Sequence, residues 1–76
     1  MVLPLSLIDI GQPVKVVWLA SSPDMAERLS DLGFLPGEEV VCVLPGRPGG
    51  MRAYLVRHAV IALRKENSDE IFVETR

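Results

Sequence analysis

Apolar and polar positions change period along this chain, and each change predicts an element. PVKVVWLA, from Pro13 to Ala20, is β-rich, and alternation sets Val14, Val16 and Trp18 on one face of a strand. Pro13 can only open that strand, because it has no N–H to give to a ladder. SSPDMAERLSDLG then turns helical: Met25, Leu29 and Leu32 stand at i, i+4 and i+7 and make one apolar stripe. Ser22 suits the N-cap, Pro23 the first helical position and Asp24 the first turn, where the helix dipole favours an acid. Asp24 and Arg28 form a weak i, i+4 pair away from the stripe.

The helix has a defined stop. Gly33 is expected at C′ in a left-handed conformation, with Phe34 folding back onto Leu29 in a Schellman arrangement. Pro36 and Gly37 then suit the two central positions of a type II turn leading into the strand EVVCVL. In this reading Gly33, Phe34, Pro36 and Gly37 are structural, and nothing in the join is itself chemical.

PGRPGG is a loop, too proline-broken for a phosphate loop and without its Lys and Ser/Thr. MRAYLVR and VIALRK read as a hairpin with His58-Ala59 in a two-residue turn. Arg57 is then opposite Val60, Val56 opposite Ile61 and Tyr54 opposite Leu63, with Tyr54, Val56, Ile61 and Leu63 lining the core. Leu55, Val60 and Ala62, beside Arg57, fall on the outer face, which is apolar for a solvent face. EIFVET supplies a last strand with Ile71 and Val73 inward and Phe72 outward, and PLSLIDI near the start reads as one helical turn. Five short strands and one helix after the first strand predict a small β-barrel, its helix covering one open end.

Composition adds a partner to this picture. Apolar residues make up 49% of the 76 positions, more than a barrel this small can hide, so some are expected to face another molecule. A second copy of the chain is an alternative occupant. Stability should be marginal, roughly 5 kcal/mol, since Cys42 is alone and no disulfide can staple the fold. A single Cys fits a reducing compartment, and the N-terminus lacks the basic and long apolar regions of a secretion signal.

Charge is segregated along the chain. No acid occurs from Val40 to Lys65, where Arg47, Arg52, Arg57, Arg64 and Lys65 lie, and all ten acids lie in the flanks. The span is either an incidental solvated surface or a basic face for an acidic partner or anionic membrane. Nucleic acid is disfavoured, because the net charge is −2 and no aromatic platform accompanies the arginines.

Little chemistry is offered. One His and one Cys cannot make a zinc site or a nucleophile–base–orienter set, so catalysis is not expected. His58 reads as an exposed turn residue, and Cys42 as a small core hydrophobe in mid-strand. No cofactor should be tightly bound, and Fe²⁺ only weakly at most. For Arg28 and Arg64 two roles are open: contact with an acidic partner, or an ion pair tying the helix to the barrel.

RLSDLGFLPGEEV, then YLVR, IALR and EIFV in that order, resembles the FeoA family, small cytoplasmic proteins of bacterial ferrous iron uptake. The resemblance runs from about Leu5 to Val73. It implies one SH3-like domain over residues 1–76. Arg28, Leu29, Leu32, Gly33, Pro36 and Gly37 match the helix-and-turn motif, and Val56, Ile61, Ala62, Leu63 and Arg64 the hairpin motif. Two positions depart: His58 stands where the family usually has Gly in the hairpin turn, and Gly50-Met51 where it often has Asp-Pro. The resemblance further implies a partner, the membrane ferrous iron transporter FeoB with its GTPase domain. The protein would then act at the inner face of the membrane, with Leu55, Arg57, Val60, Ala62, Arg28 and Arg64 as candidate partner-binding residues. The family's likeness to the C-terminal barrel of iron-dependent repressors supplies the alternative, a transition-metal-sensing regulatory barrel.

Overall fold

A computed structural model of the chain describes residues 1–75. Strand β1 (Val2–Pro4) leads into a 3-10 turn at Leu5–Leu7, then β2 (Pro13–Leu19), helix α1 (Pro23–Asp31) and β3 (Glu39–Leu44). The hairpin β4 (Arg52–Val56) and β5 (Ala59–Leu63) follows, then a one-turn helix α2 (Lys65–Ser68) and β6 (Ile71–Glu74). The strands form one antiparallel sheet in the order β1-β6-β2-β3-β4-β5. It is mainly β, the small SH3-like barrel the sequence predicts, with six strands where five are expected. The extra strand, β1, has three residues and no alternation to betray it; it exists because β6 is there to pair with it, Leu3 against Val73. Helix α2 is likewise too short to leave a period.

The barrel core takes alternate residues from each strand: Val14 and Val16, Val40 and Cys42, Tyr54 and Val56, Leu63, then Ile71 and Val73, all buried. Leu29 of α1 and Phe34 close it on one side, with Leu5 and Ile8 also in the core. Tyr54, Val56 and Leu63 are inward as expected, while Ile61 is only half-buried.

Trp18 departs from the expected face. A bulge at Val17 shifts the β2–β6 register between Val16↔Val73 and Trp18↔Phe72, and one extra residue turns the next side chain over. Trp18 is therefore 59% exposed and stacks on Phe72, ring centroids 5.2 Å apart. Leu32 also departs: it is the C-cap of α1, past the last turn packed on the barrel, and is 44% exposed.

The helix stop is built as its residues require. Ser22 accepts a bond from Met25 N at the N-cap, and Pro23 occupies the first turn. At the other end Phe34 N donates to Leu29 O at 2.9 Å and Gly33 N to Ser30 O at 3.0 Å, the two bonds of a Schellman motif, with Gly33 at φ +112°. Glu38 N then donates to Leu35 O across Pro36-Gly37, with Gly37 at φ +92°, as a type II turn needs. That turn is bolted to β2: Gly37 N donates to Val16 O at 2.7 Å and Val16 N to Glu38 O at 3.0 Å. The tight join sets α1 against the barrel and starts β3 in register.

Candidate functional site

The hairpin is held between the core and β3, which leaves its outer face to solvent. Its pairing is Val56↔Ala59, Leu55↔Val60, Tyr54↔Ile61, Ala53↔Ala62 and Arg52↔Leu63. The turn is therefore Arg57-His58, one residue earlier than the sequence suggests, and both residues have positive φ, +49° and +68°. That is a type I′ turn, which matches strand twist but usually calls for Asn and Gly. Moving a turn by one residue moves each cross-strand partner by two, so every side chain keeps its face. Both turns satisfy the core pattern equally, which is why the pattern could not choose between them.

Leu55, Val60 and Ala62 are accordingly on the outside, Leu55 39% and Val60 60% exposed. Leu55 faces Val60 on one side and the half-buried Val41 of β3 on the other, so an apolar row crosses three strands. Sequence does not mark Val41, because the hairpin alone does not say which β3 residue lies beside Leu55. Glu38, Glu39, Val41, Leu55, Arg57 and His58 line a shallow depression at the hairpin tip. The acid-free stretch thus meets acids in space.

The basic span does not form one face. Arg52 is spent on the fold: its guanidinium donates to Ser6 O at 2.6 Å and Ile8 O at 2.9 Å and lies 5.8 Å from the Tyr54 ring. Lys65 pairs with Asp69 at 2.9 Å, and Arg64 reaches Glu66 at 3.9 Å in full view of solvent. The weak Asp24–Arg28 pair does not form, nor does either Arg28 or Arg64 tie α1 to the barrel by an ion pair among the described residues. Arg28 and Arg64 instead line a second feature, a groove of about 430 Å³ between α1 and the start of α2, with Met25, Leu29, Leu32 and Leu63 as its apolar wall. The candidate residues therefore divide into two neighbouring sites joined by β5.

Two titratable groups are perturbed. The Asp69 carboxylate is held below its ordinary 3.8 by the Ser6 hydroxyl that donates to it and by Lys65. Burial pushes the Tyr54 phenol up, and its hydroxyl has no hydrogen-bond partner among the described residues although Ser68 and Arg52 are close by. His58 is exposed in its turn, and Cys42 is buried. Among the described residues, no three His, Cys, Asp or Glu side chains converge to hold a metal ion. No helix of the described chain is long and apolar enough to cross a membrane.

A family model for the FeoA domain matches residues 3–75. The chain belongs to the FeoA family. That family is one of ferrous iron transport. The solution structure of iron(II) transport protein A from Clostridium thermocellum is 33% identical and superposes with a TM-score of 0.90, over 96% of this chain and 45% of that one. FeoA of Stenotrophomonas maltophilia, a prokaryotic SH3 domain protein solved with zinc, is 28% identical with a TM-score of 0.82, over 95% and 89% of the two chains. A manganese-dependent transcriptional repressor is 16% identical with a TM-score of 0.87, over 99% of this chain and 42% of that one, a likeness of fold alone. No match is found among curated protein sequences.

Proposed function

We propose that this FeoA-family barrel is an accessory interaction module of ferrous iron uptake that docks on the cytoplasmic part of the FeoB transporter. The observation that carries this reading is the apolar row Val41–Leu55–Val60 across β3 and the outer hairpin face, exposed at Leu55 and Val60. Burying such a row returns about 25 cal/mol per Å² before association costs, enough for a few side chains to decide binding. Arg57 at the row's end, and Arg28 and Arg64 beyond β5, add charges suited to an acidic surface and make association fall with salt. In this reading the protein acts at the inner face of the membrane and regulates its partner by contact. Any Fe²⁺ contact at His58 would be weak, because a lone imidazole beside Glu38 and Glu39 is a poor chelate.

Co-purification with the transporter's cytoplasmic domains, with and without guanine nucleotide, tests it. The wild-type chain should be retained. Leu55→Glu should keep an unchanged thermal melt, because the side chain points away from the core, and should lose both retention and ferrous iron uptake in cells. A folded Leu55→Glu protein with full retention and full uptake would move the interaction face off the hairpin.

A further inference from the structure

We propose that the β5 edge receives an extended segment of a partner, apolar at alternate positions and acidic at its ends, which adds to the sheet as a seventh strand. The proposal deepens the hairpin reading above and rests on it.

The two edges of the sheet are unlike. Strand β1 is blunted: it has three residues, and one of them, Pro4, has no N–H to offer. Strand β5 is Ala-Val-Ile-Ala-Leu, paired on one side only, with no charge, proline or bulge to deter a second strand. By the alternation of an antiparallel ladder, Ala59, Ile61 and Leu63 direct their main-chain groups at β4. The N–H and C=O groups of Val60 and Ala62 therefore point to the open side, and neither residue has another backbone partner among the described residues. The same two residues carry exposed side chains on the outer face. An incoming strand would gain main-chain bonds at the edge and an apolar landing beside Val60, Ala62 and Leu55, the pattern of strand addition.

Charge selects the occupant. Arg57 and His58 stand at one end of the edge and Arg64 and Lys65 at the other. Arg57 has no ion pair among the described residues, though Glu38 and Glu39 line the depression it shares; Arg64 has only the long, exposed one to Glu66, and Lys65 is already paired with Asp69. A second copy adding antiparallel, with Val60 of one copy against Ala62 of the other, would set the Arg57–His58 end of each against the Arg64–Lys65 end of the other. Like charges directly opposite are destabilising. A segment with Asp or Glu at both ends meets the opposite sign at each. At the Leu63 end it would run out over the groove that holds Arg28 and Arg64, with Met25 and Leu32 available to its apolar residues; Glu66, also on that groove, is the acid nearest Arg64.

Two experiments decide this. In the first, amide exchange of the wild-type chain is followed by NMR with a capped peptide Glu-Glu-Val-Thr-Val-Thr-Val-Glu-Glu, and with its counterpart carrying Lys for Glu. Exchange at Val60 and Ala62 should slow with the acidic peptide and not with the basic one. No protection of these two amides at about 1 mM peptide, or equal protection by both peptides, overturns the proposal. In the second, Ala62→Pro, which removes one outward N–H at a site where proline is tolerated, is compared with the wild-type chain in co-purification with the transporter's cytoplasmic domains. Ala62→Pro should bind roughly tenfold or more weakly. Loss in Leu55→Glu with normal binding in Ala62→Pro overturns strand addition and leaves the hairpin face standing; normal binding in both overturns the hairpin reading as well. Should Ala62→Pro not fold, the peptide experiment decides alone. A wild-type dimer in sedimentation, with slowed Val60 and Ala62 exchange before any peptide is added, means that a second copy takes the edge and overturns the assigned occupant.

Discussion

Gly33 closes the helix at a φ that L side chains rarely adopt, and a Cβ there would meet the Arg57 Cδ at 3.0 Å and the Val56 Cγ2 at 3.4 Å. Gly33→Ala should cost about 1 kcal/mol or more, from backbone strain with some crowding against a flexible arginine stem. In a chain this size that lowers the melting temperature by roughly 4–8 °C per kcal/mol, which a thermal scan reads directly. Asp69 makes a pH-dependent prediction. Its carboxylate is stabilised by Ser6 and Lys65 in the folded state, so its folded pKa lies below the ordinary 3.8. The contribution is whole above that ordinary value and is lost as pH falls through the lower, folded one. Denaturant titrations across the acid range should show this decline in the wild-type chain and a flatter curve in Asp69→Asn.

The hairpin is the element whose local chemistry is least suited to its geometry. A type I′ turn places Arg57 and His58 in the left-handed region, where each pays for its Cβ. Replacing the pair by Asn-Gly, Arg57→Asn with His58→Gly, should stabilise the protein by about 1 kcal/mol, seen as a higher melting temperature. An unchanged or lower melt would mean that Arg57 contributes to folding through its stem, which lies against Gly33. The helix shows the opposite case: Ser22, Pro23 and Gly33 each suit their positions, so its ends were legible from residue type alone. The hairpin turn was not, because two turns one residue apart give the same inward and outward faces.

For the whole molecule, Arg52 ties the 3-10 segment to the barrel by two bonds to carbonyls of Ser6 and Ile8, residues more than forty positions away. Arg52→Ala should cost about 2 kcal/mol, and Arg52→Lys should recover little, since a single ammonium nitrogen lacks the planar fork by which two guanidinium nitrogens reach the two carbonyls. Loss of stability measured by urea unfolding checks both. The sequence by itself determined the helix and its stop, the strands with alternating residues, the core drawn from Val14, Val16, Tyr54, Val56, Ile71 and Val73, and the outward set Leu55, Val60 and Ala62. These follow from periods and turn chemistry, which act within a few residues. Only the tertiary structure decided that β1 is a strand, that Trp18 turns outward at a bulge, that Val41 completes the apolar row, and that the basic stretch is divided among main chain, acids and groove. It also decided which strand is left at the open edge. Each of these depends on a neighbour brought close by the fold from far along the chain, and local pattern carries no record of that neighbour.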